Sequence, residues 1–443
     1  MPEPIIIRDN SKERRPELTE KQWSDLSMFS GCKVKDLCDR DEDNVSLLVF
    51  PDSLDIYGDQ IGDSVILDIQ NDTISSGNLM GFVGCRGTNL RIRSRFDKGE
   101  EDFLMHYLLE RVFSVNLFDL PHTTDADSVF DFILFLFPFF LKRALTQGLY
   151  KEYVNHEYND DRVRGALDIS RHIRLNIPFT GKVAYRTREL TADNALMELV
   201  RHTIEYIRTK DFGSSILTRD AETKSDVALV VDATPTYEKR AREQVINMNL
   251  RAKIHPYYSE YEPLRKLCIQ ILRQEEIKYG KDDDTVYGVL FDGAWLWEEY
   301  LGLLLETLDF KHPKNKEGTG RIYLFNPNAG LRFPDFYNSE MVLDAKYKRY
   351  AEMDQGISGV SREDIAQVIS YMYVLKLGHG GFLVPGGESV TVRRKTLNGY
   401  GGEMLLINLP VAHSVASYSD YCDIMAQQEG LLKEVVTSWS RTE

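Results

Sequence analysis

Two aspartates and a lysine stand where a hydrolytic metal site would need them. Asp335 follows Pro334, and Asp344, Ala345 and Lys346 end the apolar run Met341, Val342, Leu343. A short apolar run of this kind reads as a buried strand whose polar end frays at an active edge. Side chains alternate along a strand, so Asp344 and Lys346 point the same way. Asn338, Ser339 and Glu340 supply a turn, and a hairpin through it places Asp335 beside Asp344. Two converging carboxylates suit Mg²⁺ or another hard cation. Such a cation polarises a phosphate and acidifies a bound water. A lysine alongside orients that water or offsets charge growing on the phosphate. The competing reading is two turn aspartates and a solvated strand end, since an isolated Asp-X-Lys is common.

The flanking segments predict helices that would hold this strand. Ser361 precedes Arg362, Glu363 and Asp364 and serves as an N-cap, with acids at the positive end of the helix dipole. Ile365, Val368, Ile369, Met372 and Leu375 form that helix's apolar stripe. Gln367 and Tyr371 are four apart, hence on one face, where they meet DNA or a metal-bound water. Upstream, Phe291 to Leu308 is a second helix, carrying Glu298 and Glu299 as candidates for a third acidic ligand. Tyr418 to Trp439 closes the chain as a further helix.

In this order the pieces resemble the PD-(D/E)XK nuclease superfamily. Within it, Leu290-Phe291, Trp297-Glu298-Glu299-Tyr300, Pro334-Asp335-Phe336, Leu343 to Lys348, and Ile365-Ala366-Gln367-Val368 through Tyr371 are similar to McrC. McrC is the nuclease subunit of McrBC modification-dependent restriction systems. The resemblance implies catalytic Asp335, Asp344 and Lys346, with Gln367 in the same centre. It implies Asp335, Asp344 and Glu298, rather than Glu299, as ligands of Mg²⁺, with Mn²⁺ as a substitute. It also implies double-stranded DNA as substrate, an McrB-like AAA+ GTPase hexamer as partner, and a cytoplasmic role in bacterial or archaeal phage defence. Cutting both strands needs two such subunits, hence dimerisation of complexes. The chain has no Gly-X-X-X-X-Gly-Lys-Ser/Thr loop of its own to bind nucleotide.

Charge narrows the choice further. The 443 residues carry a net charge of −15, which excludes DNA binding through a bulk positive field. DNA contacts must be local, or a partner must supply them. Five scattered cysteines, with no Cys-X-X-Cys, indicate neither a zinc site nor a disulfide framework. There is no signal-peptide pattern, and the apolar run Phe132 to Leu141 is too short to span a bilayer.

The fold expected is α+β, in three segments. Residues 1–115 form an N-terminal β-rich partner-contact domain, a small barrel or sandwich. Its strands are Ser46–Phe50, Ser64–Ile69, Met80–Val83 and Leu90–Arg95, with turns at Gly58-Asp59, Asn71-Asp72 and Gly84 to Gly87. Arg91, Arg93 and Arg95 share one strand face there, read either as a solvated edge or as a contact for the partner. Arg86, in its Gly-flanked loop, is a further partner-contact candidate. Residues 116–280 form a helical middle domain. Its Arg162-Val163-Arg164-Gly165 stretch resembles a Val-Arg-Gly segment of McrC, and Asp220–Asp226 reads as a turn. Arg162, Arg164, Arg171 and Arg174 either contact phosphates or pair structurally with nearby acids. Residues 281–443 form the PD-(D/E)XK restriction-endonuclease-like α/β domain, opened by a charged linker at Lys281–Asp284. Lys348 and Tyr371 are its DNA-contact candidates. Two other functions fit the same residues: a non-catalytic adaptor that stimulates the motor, and a repair nuclease of the same superfamily.

Overall fold

The computed structural model describes residues 4–439, apart from 15–17, 29, 41–46, 52–60, 71–72, 99–101, 115–125, 279–285, 314–318, 353–355, 400 and 414. The turns at Gly58-Asp59 and Asn71-Asp72 and the linker Lys281–Asp284 lie outside the described residues. Helices and sheets are mixed, as an α+β chain requires. The three-segment expectation differs from what is seen. The chain forms two compact units, Met1–Phe132 with Tyr279–Glu443, and Ile133–Lys278.

The reason is one strand. Tyr287–Asp292 is apolar on both faces and fully flanked, running parallel to Leu47–Phe50 and antiparallel to Leu79–Cys85. With Thr88–Arg93 and Ile5–Arg8 these make a five-stranded mixed sheet. Ile7, Val49, Leu79, Val83, Ile92 and Leu290 meet in its core. The N-terminal β-region is therefore built around a strand contributed from far down the chain. Thr88–Arg93 lies between Ile5–Arg8 and Leu79–Cys85, so it is an interior strand, not an edge.

Asp292 ends that strand and caps the next helix, Gly293–Glu306, by accepting the N–H groups of Ala294 and Trp295. Gly293 is required there, because a Cβ would lie 2.7 Å from the Tyr347 ring. The second sheet of this unit has the order Phe336–Tyr337, Met341–Ala345, His379–Pro385, Glu403–Leu409, Thr391–Thr396. Its three middle strands are parallel and buried, its outer pairs antiparallel. Helix Arg362–Leu375 lays Val368, Tyr371 and Met372 on this sheet against Val342, Phe382 and Leu406. Helix Tyr418–Trp439 begins and ends where its apolar spacing predicts.

The other unit is not purely helical. Glu152–Asp160, Val183–Thr191 and Ala166–Leu167 form a three-stranded antiparallel sheet, followed by helices Ala195–Arg208, Ala221–Ala233, Arg242–Leu250 and Tyr261–Lys278. The expected turn at Asp220–Asp226 is a helix start. Asp220 accepts the N–H of Thr223 at 2.8 Å and caps Ala221–Ala233. Among the described residues no helix is long and apolar enough to cross a membrane.

One buried acid gives a stability prediction. Asp9 is fully buried and sits 3.3 Å from the Arg95 guanidinium. Burial outweighs that arginine and pushes its pKa up to about 6. A raised carboxyl costs nothing while it is protonated in both folded and unfolded chains. The cost enters as pH climbs from 3.8 to about 6, reaching about 3 kcal/mol above that window. Asp9→Asn is therefore expected to be at least as stable as wild type at pH 7.5, and to lose that advantage by pH 4. Denaturant unfolding at the two pH values checks this, and a variant weaker than wild type at pH 7.5 refutes it.

Candidate active site

The antiparallel register Phe336↔Leu343 and Tyr337↔Val342 folds the Pro334-Asp335 corner back onto the end of Met341–Ala345. Asp335 Oδ2 accepts the N–H of Ala345 at 2.7 Å. Asn338 holds the intervening turn by accepting the N–H groups of Glu340 and Met341. Asp335 and Asp344 thereby come side by side. Burial, then the charge of Asp344, then that of Glu298 raise the Asp335 pKa well above the carboxylate range, with Lys346 opposing. Glu298, on helix Gly293–Glu306, is thus near enough to be felt. Glu299 faces His312 instead, 4.0 Å from its Nε2.

Asp344 is 1% exposed, and neither of its oxygens receives a hydrogen bond of ordinary geometry. Lys346 Nζ stands 2.6 Å from Oδ2. Burial raises the Asp344 pKa against that lysine. For Lys346, burial pushes the ammonium's pKa down, but Asp344, Asp335 and Asp364 more than reverse this and hold it protonated. A buried acid pair with one lysine beside it is a donor set that a hard cation satisfies. Among the described residues no three His, Cys, Asp or Glu side chains are gathered into a cation cage. Asp335 and Asp344 are the convergent pair, and Glu298 acts on Asp335 through its charge.

Asp364 is a site neighbour that sequence reasoning assigned only to the helix dipole. It does lie in the first turn of helix Arg362–Leu375, donating its own N–H to the Ser361 cap. Its carboxylate turns to the site, 3.5 Å from Lys346 Nζ and 2.8 Å from Lys348 Nζ, and accepts from Tyr350 at 2.9 Å. Burial pushes its pKa up, but Lys348, Lys346, Ser361 and Tyr350 outweigh that and leave it lowered. The lysine spacing, Lys346 and Lys348 on alternate positions, was the available signal for such an acid. Lys348, expected on DNA, is half-exposed and held by Asp364.

Gln367 and Tyr371 do share a face, and Gln367 Nε2 donates to the Tyr371 hydroxyl at 2.9 Å. Tyr371 is 1% exposed, beneath the sheet rather than on an outward surface, and feels the charges of Asp344 and Asp335. Arg91 and Arg93 are likewise buried. Arg91 Nε lies 2.5 Å, and Arg93 Nε 3.5 Å, from the carboxylate of Asp102, which precedes helix Phe103–Val112. That pairing accounts for their charge inside the fold and corrects the reading of an open arginine face. Arg86 and Gly87 form the two-residue turn between Cys85 and Thr88, both with positive φ (52° and 83°), as a type I′ hairpin requires.

Arg162, Arg164, Arg171 and Arg174 belong to the other unit. Arg164 donates to the Tyr185 hydroxyl at 3.3 Å and lies 3.8 Å from Asp160, and Arg171 lies 3.4 Å from Glu157. Arg162 and Arg174 are exposed.

Comparison with known proteins follows the same lines. A family model described as McrBC 5-methylcytosine restriction system component matches residues 74–385. The chain is similar to one in the refined half-complex from a tetradecameric assembly of Thermococcus gammatolerans McrB AAA+ hexamers with bound McrC. That match covers 98% of this chain and 100% of the other, at 14% identity and a TM-score of 0.51, and speaks for the fold. A cryo-EM structure of the Thermococcus gammatolerans McrBC complex aligns with 70% of this chain and 89% of its own, at 17% identity and a TM-score of 0.34. No curated protein matches the chain.

Proposed function

This chain belongs to the McrBC restriction-system family, and from that premise we propose that it is the DNA-cleaving subunit of a restriction complex. In this reading the sheet around Met341–Ala345 is a PD-(D/E)XK nuclease core, activated by an AAA+ GTPase ring of the McrB kind. Such a complex acts on invading DNA in a bacterial or archaeal cytoplasm. The observation that carries the reading is the buried pair Asp335 and Asp344 with the Lys346 ammonium 2.6 Å from Asp344.

Asp335 and Asp344 would hold Mg²⁺, or Mn²⁺ in its place, with Glu298 adding negative charge nearby. When bound, the cation supplies Lewis-acid polarisation of the phosphate and a more acidic water. Burial and the charges of Asp344 and Glu298 raise the Asp335 pKa, and a cation held there would oppose that shift. Lys346 stays charged and places positive charge where the phosphate oxygens gain negative charge. Asp364 gives its ammonium a second carboxylate to lean on when Asp344 is engaged elsewhere. Gln367 donates to Tyr371, whose hydroxyl feels the charges of Asp344 and Asp335.

The test is cleavage of plasmid DNA, methylated and unmethylated, by the chain with its AAA+ partner, GTP and Mg²⁺. Wild type is expected to cut. Asp344→Ala is expected to lose cutting and keep its stimulation of GTP hydrolysis. Chelation of Mg²⁺ should reproduce the loss. If wild type and variant stimulate GTP hydrolysis equally and neither cuts any substrate, the chain is an adaptor and the nuclease reading fails.

A further inference from the structure

The unit that carries the candidate site also holds a basic cleft that neither the motif nor the mechanism uses. Its volume is about 710 Å³, and Arg8, Arg95, Lys98 and Arg349 line it, with Asp97 and Glu388 as its acids. Four cations line it against two acids, in a chain whose net charge is −15. It forms where parallel strands end. Arg8 closes Ile5–Arg8, and Arg95 follows Thr88–Arg93, its parallel neighbour. Arg349 follows Met341–Ala345, and Glu388 follows the parallel strand His379–Pro385. Carboxyl ends of parallel strands are where open α/β sheets gather ligands.

The four cations are not equivalent. Arg95 is buried and committed to the fold. It lies 3.3 Å from Asp9, donates to the Tyr347 carbonyl at 3.0 Å, and stacks 4.6 Å above the Tyr347 ring. Arg349 Nη2 donates to the Arg95 carbonyl at 2.9 Å, which holds its guanidinium beside Arg95 while the residue as a whole stays exposed. Lys98 is exposed, and Arg8 is half-exposed, with its guanidinium donating to the Asp97 carbonyl at 3.4 Å and lying 3.9 Å from Glu13. Arg95 thus makes the floor, and Arg8, Lys98 and Arg349 present charge outward.

Tyr347, the residue under Arg95, is the next residue after Lys346. Arg349 is three positions on from Lys346, at most about 11 Å of extended chain. One DNA strand rises about 3.4 Å per nucleotide, so this span covers roughly three phosphates. We propose that the cleft holds the phosphate backbone of the DNA a few nucleotides from the bond cut at Asp335 and Asp344, through Arg8, Lys98 and Arg349. The proposal rests on the nuclease reading for the position of that bond. Its contacts are to phosphates, so they position the duplex without reading its sequence. They also explain how a strongly acidic chain holds a polyanion: the contact is local.

The experiment measures binding of a fluorescently labelled duplex by anisotropy, from 50 to 200 mM salt. It uses the full chain, with and without its AAA+ partner, and Ca²⁺ in place of Mg²⁺ to suppress cutting. The combined variant Arg8→Glu, Lys98→Glu, Arg349→Glu should bind at least about tenfold more weakly at 100 mM salt. Its slope of log affinity against log salt should be shallower by nearly three, close to one for each phosphate no longer neutralised. The milder Lys98→Gln and Arg349→Gln pair should flatten the slope by about two, and thermal unfolding shows whether each variant is folded. Equal slopes and affinities for wild type and variants overturn the proposal, as does a wild type that binds no duplex in either setting. Loss of AAA+ binding with unchanged DNA binding also overturns it, and hands the cleft to an acidic protein surface. The two readings fail separately. Unchanged salt slopes with cutting that still depends on Asp344 remove the cleft alone. Flattened slopes with cutting indifferent to Asp344→Ala remove the nuclease site alone.

Discussion

Lys346→Met should reduce DNA cutting by about 10²–10⁴-fold, the range of a positioned proton or charge donor, and should also weaken the cation-free protein. The second effect follows from what the ammonium neutralises. It lies 2.6 Å from Asp344 and 3.5 Å from Asp364, and it opposes the raised pKa of Asp335. Without it, a fully buried carboxylate loses its counter-charge, a change that costs about 3–5 kcal/mol where the charge stays ionised. Asp344 can relieve this by taking up a proton, because its pKa is already raised. The sign is fixed by that shift. An acid with a raised folded pKa carries its penalty above that pKa and sheds it as pH falls. The variant's deficit against wild type should therefore be larger at pH 8 and smaller at pH 5. Ca²⁺, which supplies positive charge without supporting turnover, should restore the variant more than it stabilises wild type. A ligand at a hundredfold its dissociation constant contributes about 2.7 kcal/mol. Thermal unfolding at both pH values, with and without Ca²⁺, measures all of this. Lys346→Arg keeps the charge in a planar fork rather than a compact ammonium, so it should hold stability and still cut poorly. A Lys346→Met protein as stable as wild type at pH 8, with no added response to Ca²⁺, would show that the lysine does not serve as the internal cation of this pair.

What the sequence made legible, and what it hid, divides by range. The Asp-X-Lys strand, the Ser361 cap and the span of Tyr418–Trp439 were readable because each is decided within a few residues by periodicity or capping. The pairing of Tyr287–Asp292 with Leu47–Phe50 was not, since nothing local marks two strands so distant as neighbours. Arg91 and Arg93 misled for a related reason. Alternating arginines look like a wet strand face until Asp102 folds over them and removes both charges from solvent. Asp220 looked like part of a turn, as N-cap residues do, because capping and turn-making use the same short side-chain hydrogen bond. At the candidate site the sequence named Asp335, Asp344 and Lys346 but not Asp364. That acid matches the apolar-periodic helix equally well as a dipole partner, and only the packing of the helix on the sheet turns it towards the two lysines.

The largest stability effect away from the site is expected at Glu429. Its buried carboxylate accepts from the Tyr107 hydroxyl at 2.5 Å and the Tyr300 hydroxyl at 2.8 Å, and Arg111 donates to it at 2.9 Å. These donors come from helices Phe103–Val112 and Gly293–Glu306, and Glu429 itself from Tyr418–Trp439, so one carboxylate ties three helices together. The two tyrosines are buried, at 4% and 0% exposure, so bulk solvent is poorly placed to supply a replacement acceptor. An unsatisfied buried donor costs about 1–3 kcal/mol. Glu429→Ala orphans two and unpairs an arginine, so the expected loss is roughly 3–5 kcal/mol of unfolding free energy. Glu429→Gln keeps an acceptor oxygen of the same reach and loses mainly the ion pair. Because the Arg111 side chain is itself 43% exposed, that loss should be about 1–2 kcal/mol. Tyr300 is two residues beyond Glu298 on one helix, so the Ala variant should also weaken cation binding while the protein is still folded. Denaturant unfolding and calorimetric titration with Ca²⁺ read the two effects separately. Tyr300→Phe combined with Glu429→Ala should cost much less than the sum of the two alone, because the first removes one of the donors that the second leaves stranded. Strict additivity of the pair, or equal losses for the Ala and Gln variants, would mean that packing rather than the shared carboxylate joins these helices.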